Sequence, residues 1–172
     1  MNIREISTTW SDYPDNESNA IIVFFSGCSH GCTGCHNKEL QNFKNGNSVS
    51  PQELMDKLST ISFKEKTDKI IFEGGDCFFE RNRADTLEFL DKYGELFEIC
   101  IYTGYSIDEV KEFGLKKGSF HFIKCGKYNE TQKDIHSGKD EKQIIFASKN
   151  QRLYNSDFEL ISQDNCFLFD GE

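Results

Sequence analysis

Short apolar runs alternate with helix-like patterns along most of the chain. Runs that are apolar at nearly every position, and rich in β-branched and aromatic residues, are typical of strands buried on both faces. We predict five such strands, at Ala20–Ser26, Lys69–Glu73, Glu98–Thr103, Ser119–Cys125 and Gln143–Ala147. Three segments near the chain ends are candidates for edge strands: Asn2–Thr9, Phe158–Ile161 and Cys166–Phe169.

Sequence patterns that predict helices lie between the predicted strands. Two helices begin with a capping box, formed by Ser50 with Glu53 and by Ser106 with Glu109. A third helix is predicted from Arg83 to Tyr93. Alternation of strand and helix implies right-handed crossovers and a mainly parallel sheet.

The size of the chain limits the architecture. The 172 residues suit one domain spanning residues 1–172, whereas a complete eight-fold (β/α) barrel takes about 250 residues. We therefore expect an α/β fold in the form of an incomplete (β/α) barrel of about five to six mainly parallel strands.

Charge and hydropathy indicate which partners to expect. A net charge of −9 argues against binding to a nucleic-acid backbone. No apolar run reaches the roughly 18–20 residues of a membrane span, and the first residues lack the apolar core of a secretory signal. We expect a cytoplasmic protein that binds neither nucleic acid nor membrane.

Four loops follow the predicted strands and carry the candidate chemistry. They are the cysteine loop Cys28–Cys35, then Gly74-Gly75-Asp76, then Gly104, and then Gly126-Lys127. Ligands of parallel α/β folds bind at the carboxyl ends of the strands. The four loops are therefore predicted to meet at one edge of the sheet.

Three of the seven cysteines are spaced as Cys-x3-Cys-x2-Cys, at Cys28, Cys32 and Cys35. A structural zinc ion needs four ligands, and His30 or His36 could supply the fourth. A [4Fe-4S] cluster is normally held by four thiolates, so three cysteines would leave one iron open to another ligand. Spacing by itself leaves the zinc and iron–sulfur interpretations open.

The cysteine loop resembles the signature of radical S-adenosylmethionine (SAM) enzymes. Cys28–Asn37 (CSHGCTGCHN) is similar to the C-x3-C-x-G-C-[HY]-N form of the anaerobic ribonucleoside-triphosphate reductase activating proteins. Four further segments resemble family motifs in the same order: Glu73–Asp76 (S-G-G-D), Tyr102–Tyr105 (W/Y-T-G-Y), Gly126–Tyr128 (D-G-K/R-F) and Ser148–Arg152 (S-x-N-Q-R/V). The resemblance spans about Phe25 to Arg152.

The resemblance implies a radical SAM domain and a role for four of the five motifs. Cys28, Cys32 and Cys35 would hold three irons of one [4Fe-4S] cluster, and the amino and carboxylate groups of SAM would chelate the fourth iron. The remaining predicted SAM-binding residues are His36 beside adenine, Gly74, Gly75 and Asp76 at the methionine amino group, Thr103 at the ribose or carboxylate, and Lys127 at the carboxylate. His36 keeps an alternative role as a zinc ligand, and His30 is interpreted as a loop residue.

The family's activity sets the expected function. The protein would take an electron from a reduced flavodoxin-type donor, cleave SAM, and generate a glycyl radical on the large subunit of the anaerobic reductase. Two alternatives stay open: an activase of another glycyl-radical enzyme of the pyruvate formate-lyase type, and a non-enzymatic Cys3His zinc-binding module. The chain departs from the family pattern at Cys77, where proline is usual, and at Cys125, where aspartate is usual. We interpret Cys77 as a packing residue.

Overall fold

The computed structural model describes residues 1–10, 13–14, 19–133, 146–163 and 166–167. The strands in this part of the chain are β1 (Asn2–Thr9), β2 (Ala20–Phe25), β3 (Asn47–Ser48), β4 (Lys69–Gly74), β5 (Glu98–Thr103), β6 (Phe122–Cys125), β7 (Arg152–Asn155), β8 (Leu160–Gln163) and β9 (Cys166–Phe167). They form one sheet in the order β3-β1-β2-β4-β5-β6-β7-β8-β9.

The helices lie between the central strands, as predicted. They are α1 (Pro51–Glu65), α2 (Arg83–Tyr93) and α3 (Ile107–Glu112). Both predicted capping boxes are present, because the hydroxyls of Ser50 and Ser106 accept from the backbone N–H of Glu53 and Glu109 at 3.2 and 3.3 Å. None of the helices in the described part of the chain is long and apolar enough to cross a membrane.

The centre of the sheet is parallel and its flanks are antiparallel. Strands β2, β4, β5 and β6 pair in parallel, which confirms the predicted parallel core of a mixed α/β fold. Strands β1 and β3 extend one side and β7, β8 and β9 the other, all antiparallel. The sheet therefore has more strands than the five or six expected, because antiparallel strands extend the parallel core on both sides.

The predicted end strands were partly correct. Asn2–Thr9 is β1, and Cys166–Phe167 falls within the third predicted segment. The second was placed two residues early: β8 begins at Leu160, and Phe158 lies in the preceding turn with φ +65°.

The predicted fifth strand, Gln143–Ala147, lies outside the described residues up to position 145. Phe146 and Ala147 are described and are not in a strand. The place beside β6 is taken by β7 instead, which the prediction missed. Its segment RLYN has Leu153 as its one fully buried side chain, so no continuous apolar run marks it.

Both faces of the central strands are buried. One face packs against the helices in the main core, which includes Ile70, Phe72 and Ile101 together with Leu54 of α1 and Phe89 of α2. Alternate residues of the same strands form a second, smaller cluster on the opposite face. This double burial explains why these strands are continuous apolar runs. Their carboxyl ends share one edge of the sheet.

Candidate functional site

The four strand-end loops meet around one open cavity of about 570 Å³. Eight of the predicted site residues line it: Cys28, Cys32, Cys35, His36, Gly74, Gly75, Thr103 and Lys127. The ninth, Asp76, is buried outside this lining, with 1% of its surface exposed. The predicted convergence of the loops is therefore present in the structure.

Where the cysteine loop follows β2, its backbone lies against the backbone at Leu40 and Gln41. The N–H of Gly27 donates to the Leu40 carbonyl at 2.7 Å, and that of Cys28 to the Gln41 carbonyl at 3.1 Å. Gly27 has φ +107°, and a Cβ there would lie 2.5 Å from the Phe79 ring. Glycine is required at this position by both its backbone angle and its close packing.

The Gly74-Gly75-Asp76 loop crosses directly against the cysteine loop. The N–H of Gly75 donates to the Phe25 carbonyl and that of Asp76 to the Gly27 carbonyl, both at 2.8 Å. A Cβ at Gly75 would lie 2.6 Å from the Gly27 oxygen, so only glycine lets the two backbones approach this closely.

The Asp76 carboxylate is an acceptor for donors from three loops. Its oxygens lie 2.8 Å from His30 Nε2, 2.9 Å from the Thr103 hydroxyl, and 2.9 Å from the backbone nitrogens of both Gly104 and Phe78. A buried carboxylate needs such donors to offset its lost hydration. The four contacts tie the loops after β2, β4 and β5 together beneath the cavity.

His30 was missed as a site residue by the sequence reasoning. Its side chain is 6% exposed, and its ring meets the Tyr105 ring edge-on with centroids 4.5 Å apart. A Cβ at Gly104 would lie 2.3 Å from the His30 ring, so that glycine makes room for it. Spacing carries no signal for this role, because Asp76 and Gly104 come close only in the folded chain.

The other predicted SAM-binding residues differ in exposure. Thr103 is buried, and its hydroxyl donates to Asp76 while accepting from the Tyr105 N–H at 3.2 Å. Lys127 is exposed at the cavity. His36 is also exposed, and its ring lies 5.9 Å from the Tyr128 ring, centroid to centroid. Lys127 and His36 are thus accessible to a ligand, whereas the Thr103 hydroxyl is already engaged.

A row of polar side chains on three neighbouring strands also lines the cavity and was not predicted. Glu73, Tyr102 and Lys124 come from β4, β5 and β6. Lys124 is buried, with 8% of its surface exposed, and its Nζ lies 3.7 Å from the centroid of the Tyr102 ring. The available signal was a lysine inside an otherwise apolar strand, which signals either an edge position or a polar cavity.

Asn82 is a second missed residue, and it supports the site from behind. Its amide donates to the carbonyls of Ser26 at 2.9 Å and Asp76 at 3.2 Å, and accepts from the Asn2 N–H at 2.8 Å. It is fully buried. Asn82 therefore joins β1 to the starts of two site loops.

The arrangement of the three thiols bears on both the zinc and the iron–sulfur interpretations. Within the described residues, no group of three or more His, Cys, Asp or Glu side chains is arranged to hold one metal ion. A zinc site needs four ligands around one ion, and the His30 ring is directed at Asp76. Thiolates of an iron–sulfur cluster bind separate irons and do not share one ion. Burial raises the pKa of the Cys28 thiol to about 11, and metal binding would remove that proton.

Comparison with known proteins identifies the kind of centre. The sequence profile of the 4Fe-4S single cluster domain matches residues 17–154. The chain belongs to this family. The matched residues include the cysteine loop and the other three strand-end loops of the 4Fe-4S single cluster domain, and the family favours an iron–sulfur centre over the zinc alternative.

Individual relatives of this 4Fe-4S domain are activating proteins. The chain is 26% identical to the anaerobic ribonucleoside-triphosphate reductase-activating protein of Enterobacteria phage T4 over 148 residues, which is 84% of this chain and 89% of that protein. It is 28% identical to the protein of the same name from Pasteurella multocida over 134 residues, 72% of this chain and 83% of that protein. The resemblance to this group is confirmed. The pyruvate formate-lyase-activating enzyme of Clostridium pasteurianum is 33% identical over 63 residues, 34% of this chain and 26% of that enzyme.

Proposed function

We propose that this protein is a radical SAM activase that generates a glycyl radical on the large subunit of an anaerobic ribonucleotide reductase. The observation that carries the proposal is the cavity itself, where the three thiols of a 4Fe-4S family loop face the loops after β4, β5 and β6. The similarity to reductase-activating proteins over most of the chain supports this choice of partner.

Cys28, Cys32 and Cys35 would hold one [4Fe-4S] cluster and leave its fourth iron for SAM. The chemistry that the bound cluster would supply is the one-electron reductive cleavage of SAM, with the electron coming from a reduced flavodoxin-type donor and the resulting glycyl radical lying on the reductase. The chain's own residues bind, orient and shield the reacting groups.

The residues proposed to bind SAM lie along the cavity wall. Gly74 and Gly75 present backbone groups, Lys127 a positive charge for the carboxylate, and His36 a ring for the adenine. Thr103 lines the cavity but shares its hydroxyl with Asp76. Asp76 itself supports the site from below, since its oxygens already accept four donors from the protein.

The architecture proposed for this function is a single radical SAM domain, an incomplete barrel left open on one side. The parallel strands β2, β4, β5 and β6 would form its wall. An open side suits a substrate that is a loop of another protein. A cytoplasmic location suits free thiols, because that compartment keeps them reduced.

Spectroscopy of the anaerobically reconstituted protein tests the proposal. We expect bound iron and sulfide, an EPR signal after reduction that changes when SAM is added, and a glycyl-radical doublet on incubation with the reductase. Stoichiometric zinc without sulfide would contradict the cluster, and turnover of a small molecule without the reductase would contradict the partner.

The match to the Clostridium enzyme supports a second candidate, activation of a pyruvate formate-lyase-type enzyme. The same incubation with that partner distinguishes the two. A doublet on the lyase and none on the reductase would reassign the substrate while leaving the cluster and SAM chemistry in place.

A further inference from the structure

His30 and Asp76 form a direct side-chain contact between the cysteine loop and the loops opposite it. His30 lies two residues after Cys28 and two before Cys32, so its position is tied to both thiols. Its Nε2 is 2.8 Å from Asp76 Oδ2, and the two side chains are 6% and 1% exposed. A hydrogen bond to a charged acceptor, shielded from water, is among the stronger ones in proteins.

The same carboxylate oxygen also fixes the loop after β5. Asp76 Oδ2 accepts from the Gly104 N–H and from the Thr103 hydroxyl, each at 2.9 Å. The His30 ring packs against Gly104, where a Cβ would lie 2.3 Å from it, and against the Tyr105 ring. Polar and packing contacts therefore hold His30 from two sides.

We propose that His30 and Asp76 form a latch that positions the cysteine loop against the loops after β4 and β5. His30 is a positioning residue, and it acts on the cluster through Cys28 and Cys32 without binding the metal. Asp76 is the anchor of the latch and not a direct ligand of SAM. The inference deepens the proposed function. Its test by SAM affinity rests on that function, whereas its test by thermal unfolding does not.

Three variants of the full chain separate the latch from simple packing. His30→Ala removes the ring and its N–H. His30→Gln keeps an N–H donor at nearly the position of Nε2. Thr103→Val removes a different donor to the same carboxylate. His121→Ala is the control, because His121 is exposed and outside the cavity lining.

The first measurement is thermal unfolding of the iron-free chain. We expect His30→Ala to lower Tm by about 4 to 8 °C and His30→Gln to recover most of that loss, while His121→Ala has no effect. The combined loss in His30→Ala/Thr103→Val should differ from the sum of the single losses, because both donors share one carboxylate. Equal losses for His30→Ala and His30→Gln, together with additivity, would overturn the latch.

The second measurement is SAM affinity of the reconstituted protein, followed by the change in its EPR signal. We expect His30→Ala to retain three thiolates and bound iron but to bind SAM about tenfold more weakly, with recovery in His30→Gln. Wild-type affinity in His30→Ala would overturn the latch while the proposed function stands. A wild-type cluster that never responds to SAM would refute the proposed function, and the unfolding measurements would still test the latch.

Discussion

Among the glycines that line the cavity, Gly75 has the closest surrounding backbone atoms, and Gly75→Ala tests the loop crossing directly. The new Cβ would lie 2.6 Å from the Gly27 oxygen, 2.8 Å from the Leu40 oxygen and 3.0 Å from the Phe25 oxygen. All three are backbone atoms, so no side-chain rotation relieves the overlap. The cysteine loop or the Gly74-Gly75-Asp76 loop must move.

The magnitude follows from the contacts that would be strained. The shortest distance is about 0.8 Å inside ordinary van der Waals contact, and overpacking of this kind costs about 1–3 kcal/mol. Separating the loops also weakens the 2.8 Å hydrogen bonds from Gly75 and Asp76 to β2 and the cysteine loop, at about 1 kcal/mol each. We expect a total of about 3–5 kcal/mol, or a Tm lower by about 10 °C.

The assay combines thermal unfolding with iron and sulfide content after anaerobic reconstitution, and two glycines serve as controls. Gly94→Ala also overlaps backbone, 2.1 Å from the Ser119 oxygen, but at the opposite edge of the sheet. It should lower Tm without reducing the iron bound per folded chain. At Gly118 an added Cβ would have no atom within 4 Å, and the φ angle is +78°. Gly118→Ala should therefore cost only about 1 kcal/mol, from backbone strain. Wild-type stability and iron content in Gly75→Ala would refute the loop crossing.

Three further predictions follow from the same structure. Cys28→Ser should lose most of the bound iron and sulfide in elemental analysis yet leave the Tm of the iron-free chain nearly unchanged, because Cys28 is only partly buried. Asn82→Ala should lower the unfolding free energy by about 3 kcal/mol in urea titration, since two buried partners and one part-buried partner lose their hydrogen bonds. Burial raises the pKa of the Cys77, Cys100 and Cys125 thiols. Above about pH 9 the unfolded chain loses these protons while the folded chain keeps them, so stability should fall with pH by about 1.4 kcal/mol per unit for each thiol. Cys100→Ala should remove the contribution of one thiol from that slope. An unchanged slope would contradict the raised pKa of the Cys100 thiol.

The parallel core of the fold was predictable because burial on both faces leaves continuous apolar runs. Ala20–Phe25, Lys69–Gly74 and Glu98–Thr103 match the predicted strands to within one residue. The antiparallel flank was not predictable in the same way. Strand β7 is short and mostly half-buried, so pairing with β6 determines it more than its own sequence does.

The candidate site was also predictable only in part. The cysteine spacing and the glycines that end strands are local features, and they located the cavity. The roles of His30, Asn82 and Lys124 depend on partners far along the chain: Asp76 lies 46 residues from His30, and Ser26 lies 56 residues from Asn82. Contacts of that range have no local signature in one sequence.

The five short motifs are linked by hydrogen bonds in the order in which they occur. The Asp76 carboxylate lies 2.8 Å from His30 Nε2 and accepts from the Thr103 hydroxyl. The Thr103 carbonyl accepts from the Gly126 N–H at 3.1 Å, and the Gly126 carbonyl from the Gln151 side chain at 3.0 Å. Each motif therefore contacts the next across the sheet, because strand order in the parallel core follows chain order. Motifs that are weak signals separately specify one site because they form one connected structure.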